Sequence, residues 1–372
     1  MHKRTVWHVV GARPNFMKVA PVRAAVAART DLAQVLVHTG QHADPQMSDV
    51  FFRDLDLPPP DLFLGVTGGT HASLTGRIME ALEPLLARHR PDLVLVAGDV
   101  NSTLAAALVA AKNDPPIPVA HLEAGLRSFD RAMPEEVNRV LVDRLSDLCL
   151  TPSPDGDANL RAEGVPAERI VRVGNVMIDS LERALPVSRR LAPELLGRLG
   201  LEPGGYALAT LHRPANVDDP VVLAPLLSLL ADLSGRLPVV FPVHPRTRRR
   251  IEESPVIGRL RSSPRLLLCD PQGYFEFQAL MADARLVLTD SGGVQEETTA
   301  LGVPCLTLRD NTERPVTVTE GTNTLVGRDP VRIAAEVDRV LSGHTKAGRR
   351  PALWDGRAAE RVADALQAFL GA

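Results

Sequence analysis

Cysteine is scarce in this sequence of 372 residues: Cys149, Cys269 and Cys305 lie far apart, each beside an apolar run. This distribution excludes a dense disulfide framework and favours buried thiols in a reducing compartment. The three cysteines form no Cys-x-x-Cys pair, and the sequence predicts no metal site.

Long apolar runs and an excess of basic residues are also absent. The apolar stretches fall far short of the ~20 residues that a membrane-spanning helix needs. No basic segment followed by an apolar core marks a secretory signal, so we expect a cytoplasmic protein without a membrane partner. The 42 Lys and Arg residues against 45 Asp and Glu residues leave a net charge of −3, which argues against a nucleic-acid partner.

What the sequence does contain is a repeated alternation of short apolar runs and longer helical patterns. Strands are predicted at residues 5–10, 35–39, 92–97, 119–122, 148–151 and 170–173, and again at 206–210, 239–243, 266–269, 286–289 and 305–308. Apolar strands separated by helices are typical of parallel sheets covered on both faces. The pattern predicts an α/β protein with two Rossmann-like, doubly wound domains.

The restart of this pattern sets the expected domain boundaries. Residues 1–175 are predicted to form the N-terminal domain and residues 176–354 the C-terminal domain. A last helix within residues 355–372 is expected to pack back on the N-terminal domain.

Unusual polar residues follow the predicted strands where each strand ends. These segments are 11–14 (Gly-Ala-Arg-Pro), 98–99 (Gly-Asp), 123–127 (Glu-Ala-Gly-Leu-Arg), 211–213 (Leu-His-Arg), 243–245 (Val-His-Pro) and 290–293 (Asp-Ser-Gly-Gly). Ligands of open parallel sheets bind beyond the carboxyl ends of the strands. We therefore expect one polar edge in each domain, with the two edges facing each other across a cleft.

Two of these segments have features of phosphate sites. Residues 289–297 follow a strand and open a helix, whose N–H groups favour anions, and the glycines permit close approach. Ser291 adds a hydroxyl donor, and Glu297 can accept from the hydroxyls of a ribose. Arg13 and Lys18, after the first strand, are two cations suited to a diphosphate. The structural alternative for residues 289–297 is an ordinary capped turn between a strand and a helix. For Arg13 and Lys18 it is a pair of solvent-exposed cations.

Titratable side chains also collect at the predicted strand ends. They are Asp99, Glu123, Glu135, Glu136, His212 and His244. Neighbouring carboxylates repel one another unless they are paired or protonated, and such crowding raises a carboxyl pKa for acid–base work. No Gly-x-Gly-x-x-Gly fingerprint and no Gly-x-Ser-x-Gly elbow is present. The residues alone predict a two-domain enzyme that acts on a phosphate-bearing ligand by acid–base catalysis.

Taken in order from about Thr5 to Arg332, the motifs resemble those of the non-hydrolysing UDP-N-acetylglucosamine 2-epimerase family. They are Gly-Ala-Arg-Pro at 11–14 with Lys18, Gly98-Asp99, His121-Leu-Glu-Ala-Gly-Leu-Arg127, Pro134-Glu-Glu-Val-Asn-Arg139, His212-Arg213, Pro242-Val-His244, Asp270-Pro-Gln272, Asp290 to Glu297, and Thr312-Glu-Arg-Pro315. The resemblance implies the GT-B fold with UDP bound by the C-terminal domain, a homodimer, and no cofactor or metal. It also implies interconversion of UDP-GlcNAc and UDP-ManNAc through loss of the carbon 2 proton, departure of UDP to leave a 2-acetamidoglucal, and re-addition of UDP.

The resemblance further implies roles for three groups of residues. The catalytic group is Asp99, Glu123, Glu135 and His212. The group that binds the UDP-sugar is Arg13, Lys18, Gln272, Phe277, Ser291, Gly292, Gly293, Glu297 and Arg314. A second, activating UDP-GlcNAc would contact Gln41, Arg77, Glu136, Arg213 and His244. The chain departs from the family pattern at Asn15, where Glu is common, and at residues 43–45 and 214–216, which bears on the second site and on the choice of sugar.

Three other functions compete with this one. A hydrolysing 2-epimerase would release ManNAc and UDP, but the motifs resemble the non-hydrolysing branch. A GT-B glycosyltransferase would share the nucleotide-binding half and would have no use for so many strand-end carboxylates. A non-catalytic sensor of nucleotide sugars is disfavoured because every expected catalytic position is filled.

Overall fold

The computed structural model describes residues 3–41, 55 and 57–371 and, within these ranges, every side chain except those of Arg13 and Arg246. The chain divides into two compact units. Unit 1 ends at Ser180 and resumes at Ala352, and unit 2 is Leu181–Pro351.

Unit 1 is built on a seven-stranded parallel sheet with the order β3-β2-β1-β4-β5-β6-β7. Its strands are β1 (Thr5–Val10), β2 (Ala33–His38), β3 (Leu62–Phe63), β4 (Leu93–Ala97), β5 (Val119–Leu122), β6 (Leu148–Thr151) and β7 (Ile170–Arg172). In the register of β1, His8 lies opposite Leu36 of β2 and Leu95 of β4. The strands β4 and β5 are buried along their whole length, as expected for a sheet covered on both faces.

Helices connect the strands of unit 1. They are α1 (Arg13–Arg29), α2 (His71–His89), α3 (Asn101–Ala111), α4 (Pro134–Leu145) and α5 (Pro154–Ala162), with a 3-10 turn at Ala167–Arg169. On one face of the sheet, Leu82 and Leu86 of α2 and Ala107 of α3 form a core cluster with Trp7 and Val94. A long helix, α6 (Val176–Leu199), then leads into unit 2.

Unit 2 contains a six-stranded parallel sheet with the order β10-β9-β8-β11-β12-β13. Its strands are β8 (Ala207–Thr210), β9 (Val239–Pro242), β10 (Leu266–Cys269), β11 (Leu286–Thr289), β12 (Cys305–Thr307) and β13 (Asn323–Leu325). Alternate residues face opposite sides of the sheet: Val239 and Phe241 belong to one core cluster and Val240 to the other. Both faces are therefore covered.

The helices of unit 2 alternate with its strands. They are α7 (Pro214–Val217), α8 (Pro220–Ser234), α9 (Pro245–Glu252), α10 (Ile257–Arg261), α11 (Tyr274–Ala282), α12 (Gly292–Leu301), α13 (Pro315–Thr319) and α14 (Pro330–Leu341). With the two parallel sheets, this alternation confirms the predicted α/β class and its doubly wound architecture.

The first turn of α6 belongs to unit 1, which therefore extends to Ser180, beyond the residue 175 expected from the sequence. Asp179 accepts hydrogen bonds from the amides of Ala358 and Ala359 at 3.1 and 2.7 Å, which begin the last helix, α15 (Ala358–Leu370). These are N–H groups that a helix start leaves without intrahelical partners. Ser180 donates to the carbonyl of Met17 at 2.5 Å.

The last helix packs on α1. Arg29 near the end of α1 donates to Asp364 of α15 at 2.9 Å. The fold of unit 1 thus includes both the first and the last helix of the chain.

Two local predictions differ from the structure. The apolar pattern predicts a first helix over residues 19–28, whereas the helix begins at Arg13, because Pro14 lies in its first turn, where proline is pre-organised for a helix. The strands β3 and β13 were not predicted, since two and three residues are too few for a periodic signal.

None of the helices in the described ranges is long and apolar enough to cross a membrane. All three cysteines are free thiols, with Cys149 and Cys305 buried and Cys269 half-buried.

Candidate active site

Asp99 and Glu123 follow the neighbouring strands β4 and β5 at one edge of the unit 1 sheet. Between β4 and Asp99 lies Gly98, whose φ of +66° favours glycine. A Cβ atom at Gly98 would lie 2.8 Å from Lys18 Nζ and 3.4 Å from Glu123 Oε2. Because glycine lacks this atom, the buried ion pair between Lys18 of α1 and Glu123 packs against the turn that carries Asp99.

Asp99 is also paired with a cation. Arg139 of α4 donates from Nη2 to Asp99 Oδ2 and from Nη1 to Glu136 Oε2 at 2.8 Å. Its neighbour Asn138 donates to the backbone carbonyl of Asp99 at 2.8 Å. The sequence left open whether the crowded carboxylates are paired or protonated. In the structure Asp99, Glu123 and Glu136 are all paired.

Glu136 holds the loop between β5 and α4. It accepts from the amides of Ser128 and Phe129 and from the Ser128 hydroxyl, each at 2.9 Å. Burial raises the pKa of Glu136, but these hydrogen bonds and the one from Arg139 outweigh burial and lower the pKa overall. Glu136 is thus a carboxylate whose bonds point into the protein, whereas Glu135 is half-buried in the first turn of α4.

A buried network centred on Asp143 of α4 lies beneath the same edge. Asp143 contacts His121 Nδ1 at 2.6 Å, the Gly125 amide at 3.0 Å and Arg127 Nη1 at 2.7 Å. Burial raises the pKa of Asp143, but His121 and Arg127 lower it by more. Arg127 also donates to both oxygens of Glu163 at 2.7 Å. The network links β5 and its following loop to α4.

Asn15 connects the loop after β1 to the end of β4. Its Oδ1 accepts from the amides of Gly11 and Ala12 at 3.0 and 3.1 Å, and its Nδ2 donates to the carbonyl of Ala97 at 2.8 Å. The side chain is 1% exposed. It therefore fixes the start of α1 at Arg13 against the end of β4, two residues before Asp99.

The remaining unit 1 residues implied by the resemblance have local partners. Gln41 Oε1 accepts from the amide and the hydroxyl of Ser102 at 3.0 and 2.7 Å. Arg77 donates to the carbonyl of Thr67 at 2.9 Å. Arg13 begins α1, and its side chain lies outside the described part of the chain.

In unit 2, His212 and Arg213 follow β8, and Asp290 follows the neighbouring strand β11. Asp290 accepts from the amides of His212 and Arg213 at 3.0 and 2.9 Å and from Asn216 Nδ2 at 3.1 Å. His212 Nδ1 lies 2.9 Å from Asp290 Oδ1, and the His212 side chain is 46% exposed. Burial raises the pKa of Asp290, but the bonds from His212 and Arg213 lower it overall. Asp290 therefore orients an imidazole that reaches solvent.

Three arginines converge on Glu313. Its oxygens lie 3.3 Å from Arg213 Nη2, 2.8 Å from Arg309 Nη2 and 2.5 Å from Arg314 Nη1. Arg314 Nε lies 2.9 Å from Glu296 Oε1. Burial lowers the pKa of Arg213, although Glu313 opposes this effect. The result is a cluster of cations held in place by buried carboxylates.

This cluster borders the start of α12. A Cβ atom at Gly292 would lie 2.5 Å from Arg314 Nη1 and 2.7 Å from Glu313 Oε1, so no larger residue fits there without displacing them. The amides at Gly292 and Gly293 open the helix after Ser291. A guanidinium beside a helix start is an arrangement that favours an anion.

Glu297, further along α12, faces α11. It accepts from Gln278 Nε2 at 2.6 Å and from the hydroxyl of Tyr274 at 3.5 Å. Both donors are buried. The orientation of this carboxylate is therefore set by two side chains of α11.

The other predicted binding residues of unit 2 lie at neighbouring elements. Gln272 donates to the carbonyl of Asp270 at 2.7 Å. Phe277 is half-buried and packs against the core cluster below α11. His244 is exposed just before α9.

The structure thus gathers the predicted residues into two sets. Asp99, Glu123 and Lys18 are together in unit 1; His212, Arg213, the Ser291 segment and Arg314 are together in unit 2. Sequence reasoning gave no supporting role to the side chains that hold these sets, chiefly Arg139, Asn15, Asp143 and Asn216. Arg139 had a signal, since it stands three residues after Glu136, a spacing that brings two side chains together on a helix, whereas no sequence signal connects Asn216 to Asp290.

Two parallel-sheet α/β units, with paired carboxylates at a sheet edge of one and a cationic helix start in the other, are the features of a two-domain enzyme with the GT-B fold. Residues 24–367 match the family model described as UDP-N-acetylglucosamine 2-epimerase. The chain belongs to the UDP-N-acetylglucosamine 2-epimerase family, whose members are isomerases.

Individual relatives agree with this assignment. The chain is 43% identical to the UDP-2,3-diacetamido-2,3-dideoxy-D-glucuronate 2-epimerase of Pseudomonas aeruginosa, over 96% of this chain and 98% of that protein. It is 38% identical to a UDP-N-acetylglucosamine 2-epimerase of Methanocaldococcus jannaschii, over 95% and 96%. The crystal structure of M. jannaschii UDP-GlcNAc 2-epimerase in complex with UDP-GlcNAc and UDP matches with a TM-score of 0.88 and 38% identity, over 98% of this chain and 99% of that one.

Proposed function

We propose that the protein epimerises carbon 2 of a UDP-linked 2-acetamido sugar without hydrolysing it, interconverting UDP-GlcNAc and UDP-ManNAc. The observation that carries the proposal is the pairing of Asp99 with Arg139 and of Glu123 with Lys18 at one sheet edge. Carboxyl groups at such an edge can exchange a proton with a bound substrate.

Unit 2 would bind the nucleotide. The start of α12 with Arg314 beside it offers amides and a cation to a diphosphate. Glu297, whose carboxylate is held by Gln278 of α11, would accept hydrogen bonds from the ribose hydroxyls. His212, held by Asp290 and exposed, would donate to a phosphate oxygen as UDP leaves and takes up negative charge.

Unit 1 would exchange the proton on carbon 2. A carboxylate removes this proton while the bond from carbon 1 to the UDP oxygen breaks, leaving a 2-acetamidoglucal. UDP then adds back to carbon 1, and a second acid delivers a proton to the other face of carbon 2. The Asp99 side chain is 24% exposed and that of Glu123 is 6% exposed, so Asp99 is better placed to touch the sugar, with Glu123 and Glu135 as the other proton carriers.

A second substrate has a specific observation in its favour. The relative with 43% identity is named for UDP-2,3-diacetamido-2,3-dideoxy-D-glucuronate, and the same elimination and re-addition at carbon 2 applies to that sugar. The second UDP-GlcNAc site at Gln41, Arg77, Glu136, Arg213 and His244 stays a prediction.

A proton NMR time course in deuterated water tests the function. We expect UDP-GlcNAc to give UDP-ManNAc with deuterium at carbon 2 and no free ManNAc. Release of ManNAc and UDP would assign the hydrolysing reaction instead. Turnover of the diacetamido-glucuronate alone would assign the second substrate, and inertness of both UDP-sugars would overturn the proposal.

We also propose that two copies of the chain pack through α4. Val137, Val140 and Leu141 form an apolar stripe on its outer face, 36%, 40% and 44% exposed, and such stripes mark protein contacts. In a two-fold dimer the same patch of both subunits forms the interface, so the stripe of a second copy would cover this one.

The free thiols of all three cysteines support a reducing compartment such as the cytoplasm as the location of the protein.

A further inference from the structure

His121 lies inside the candidate site of unit 1 and has no part in the chemistry proposed above. It belongs to β5, two residues before Glu123, and is fully buried. Its Nδ1 lies 2.6 Å from Asp143 Oδ1 and its Nε2 lies 2.8 Å from the backbone oxygen of Gly98. Both ring nitrogens therefore have a partner at hydrogen-bond distance.

Both partners of this ring are acceptors. The carbonyl of Gly98 cannot donate, so the hydrogen of that bond is on Nε2. Asp143 forms an ion pair with Arg127, and although burial raises its pKa, His121 and Arg127 lower it by more. It is therefore a carboxylate, which can only accept, so Nδ1 also carries a hydrogen. The two contacts together require an imidazolium.

The charge of this imidazolium is balanced locally. Asp143 contacts it directly, and Arg127 contacts both Asp143 and Glu163. Cys149 of β6 lies opposite His121 in the sheet register, and burial raises the pKa of its thiol to about 12, so it remains neutral. Two cations and two anions leave no net charge, which is the condition under which a buried ion pair is tolerated.

One ring therefore connects three elements of the site. Glu123 directly follows its own strand β5, the Gly98 carbonyl precedes Asp99, and Asp143 lies on α4, whose first turn contains Glu135. We propose that His121 is a positioning residue whose imidazolium clamps the Gly98 carbonyl and α4, fixing the spacing of the candidate acid–base carboxylates. The catalytic consequence rests on the proposed function; the clamp itself does not.

Two neutral variants separate the two contacts. The amide nitrogen of His121→Gln can reach the place of Nε2 and donate to Gly98, whereas that of His121→Asn can reach only the place of Nδ1 and donate to Asp143. Because displacement of a reacting group by about 1 Å costs roughly 10²-fold in rate, we expect His121→Asn to lower kcat about 10- to 100-fold with KM little changed. His121→Gln should retain at least about tenfold more kcat than His121→Asn. His344→Asn, at an exposed histidine, is the control.

The clamp has readouts that need no turnover. In ¹⁵N NMR of histidine-labelled protein, both ring nitrogens of His121, assigned from the His121→Gln spectrum, should show imidazolium shifts at pH 8. Hydrogen exchange of peptides covering residues 94–104 should be faster in His121→Asn than in wild type and in His121→Gln.

These measurements keep the two proposals distinguishable. A neutral tautomer of His121 at pH 8, unchanged exchange of residues 94–104 in His121→Asn, or equal kcat for the two variants would each overturn the positioning role. If wild type turns over neither UDP-sugar, the proposed function fails, and the nitrogen shifts and the exchange rates still decide the clamp.

Discussion

Gly98 combines a backbone constraint and a side-chain constraint at one residue. Its left-handed φ costs an alanine about 1–2 kcal/mol, and the added Cβ would lie 2.8 Å from Lys18 Nζ. Since Lys18 is paired with Glu123, the methyl group displaces a candidate catalytic carboxylate. We predict that Gly98→Ala lowers kcat at least about tenfold and the stability of unit 1 by about 1–2 kcal/mol, measured by initial rates and urea unfolding.

Gly164 provides the matched control. Its φ is +79° and nothing lies within 4 Å of an added Cβ, so Gly164→Ala has the same backbone cost without touching the site. It should lose similar stability and keep its turnover. A Gly98→Ala protein with the turnover of Gly164→Ala would show that the Lys18–Glu123 pair does not need the space left by glycine.

Among the elements, the strands that form the middle of each sheet were predictable from sequence. Strands such as β4 and β11 read as continuous apolar runs because helices cover both of their faces. The edge strands β3 and β13 were not predictable, since they contain only two and three residues. The early start of α1 depends on Pro14, whose effect on a helix differs between its first turn and its interior.

The acidic and cationic residues of the candidate site could be predicted from the sequence, but which of them form ion pairs with each other could not. Asp99 and Glu123 follow apolar strands, so their position at one edge follows from the sheet alone. Their partners Arg139 and Lys18 come from helices whose rotation no strand pattern specifies. Asn15 joins the loop at Gly11 to the end of β4 at Ala97. These segments are distant in sequence, so only the packed structure reveals the contact.

The proposed homodimer can be tested by a substitution on the outer face of α4. Val140 is 40% exposed between Val137 and Leu141, and a charge there would face the apolar stripe of a second copy. Burying an unpaired carboxylate costs more than the contact provides. We predict that Val140→Glu converts a dimer to a monomer, as measured by size-exclusion chromatography with light scattering.

Val331 of α14 provides the control, because the same valine-to-glutamate substitution can be made there on an exposed surface away from α4. It is 77% exposed and lies in unit 2, so Val331→Glu should leave the mass in solution unchanged. A dimeric Val140→Glu protein, or a monomeric wild type, would contradict the α4 interface.

For the molecule as a whole, two buried histidines of unit 1 limit stability in acid. His8 in β1 is 0% exposed. Burial, with a smaller contribution from Arg23, lowers its pKa to about 3. Burial also lowers the pKa of His38 to about 4. Folded unit 1 thus keeps both rings neutral where an unfolded histidine, with a pKa near 6.5, is protonated.

The sign of the effect follows from proton uptake. Below about pH 6.5 the unfolded chain binds protons that the folded unit does not, and stability rises with pH wherever the unfolded state binds more protons. Unit 1 therefore loses stability as the pH falls from about 6.5 toward 4, by up to about 1.4 kcal/mol per pH unit for each histidine. His8→Leu removes one of the two contributions and should make the loss less steep.

Both tryptophans, Trp7 and Trp354, belong to unit 1, so tryptophan fluorescence follows the unfolding of that unit in urea. Between pH 7 and pH 5 we expect wild type to lose about 2 kcal/mol more than His8→Leu, with the residual slope due in part to His38. His344→Leu, at an exposed position of unit 2, should follow the wild-type curve. If the free energy of unfolding changes equally with pH in wild type and His8→Leu, then His8 is protonated in the folded state, and water reaches its ring more readily than the structure indicates.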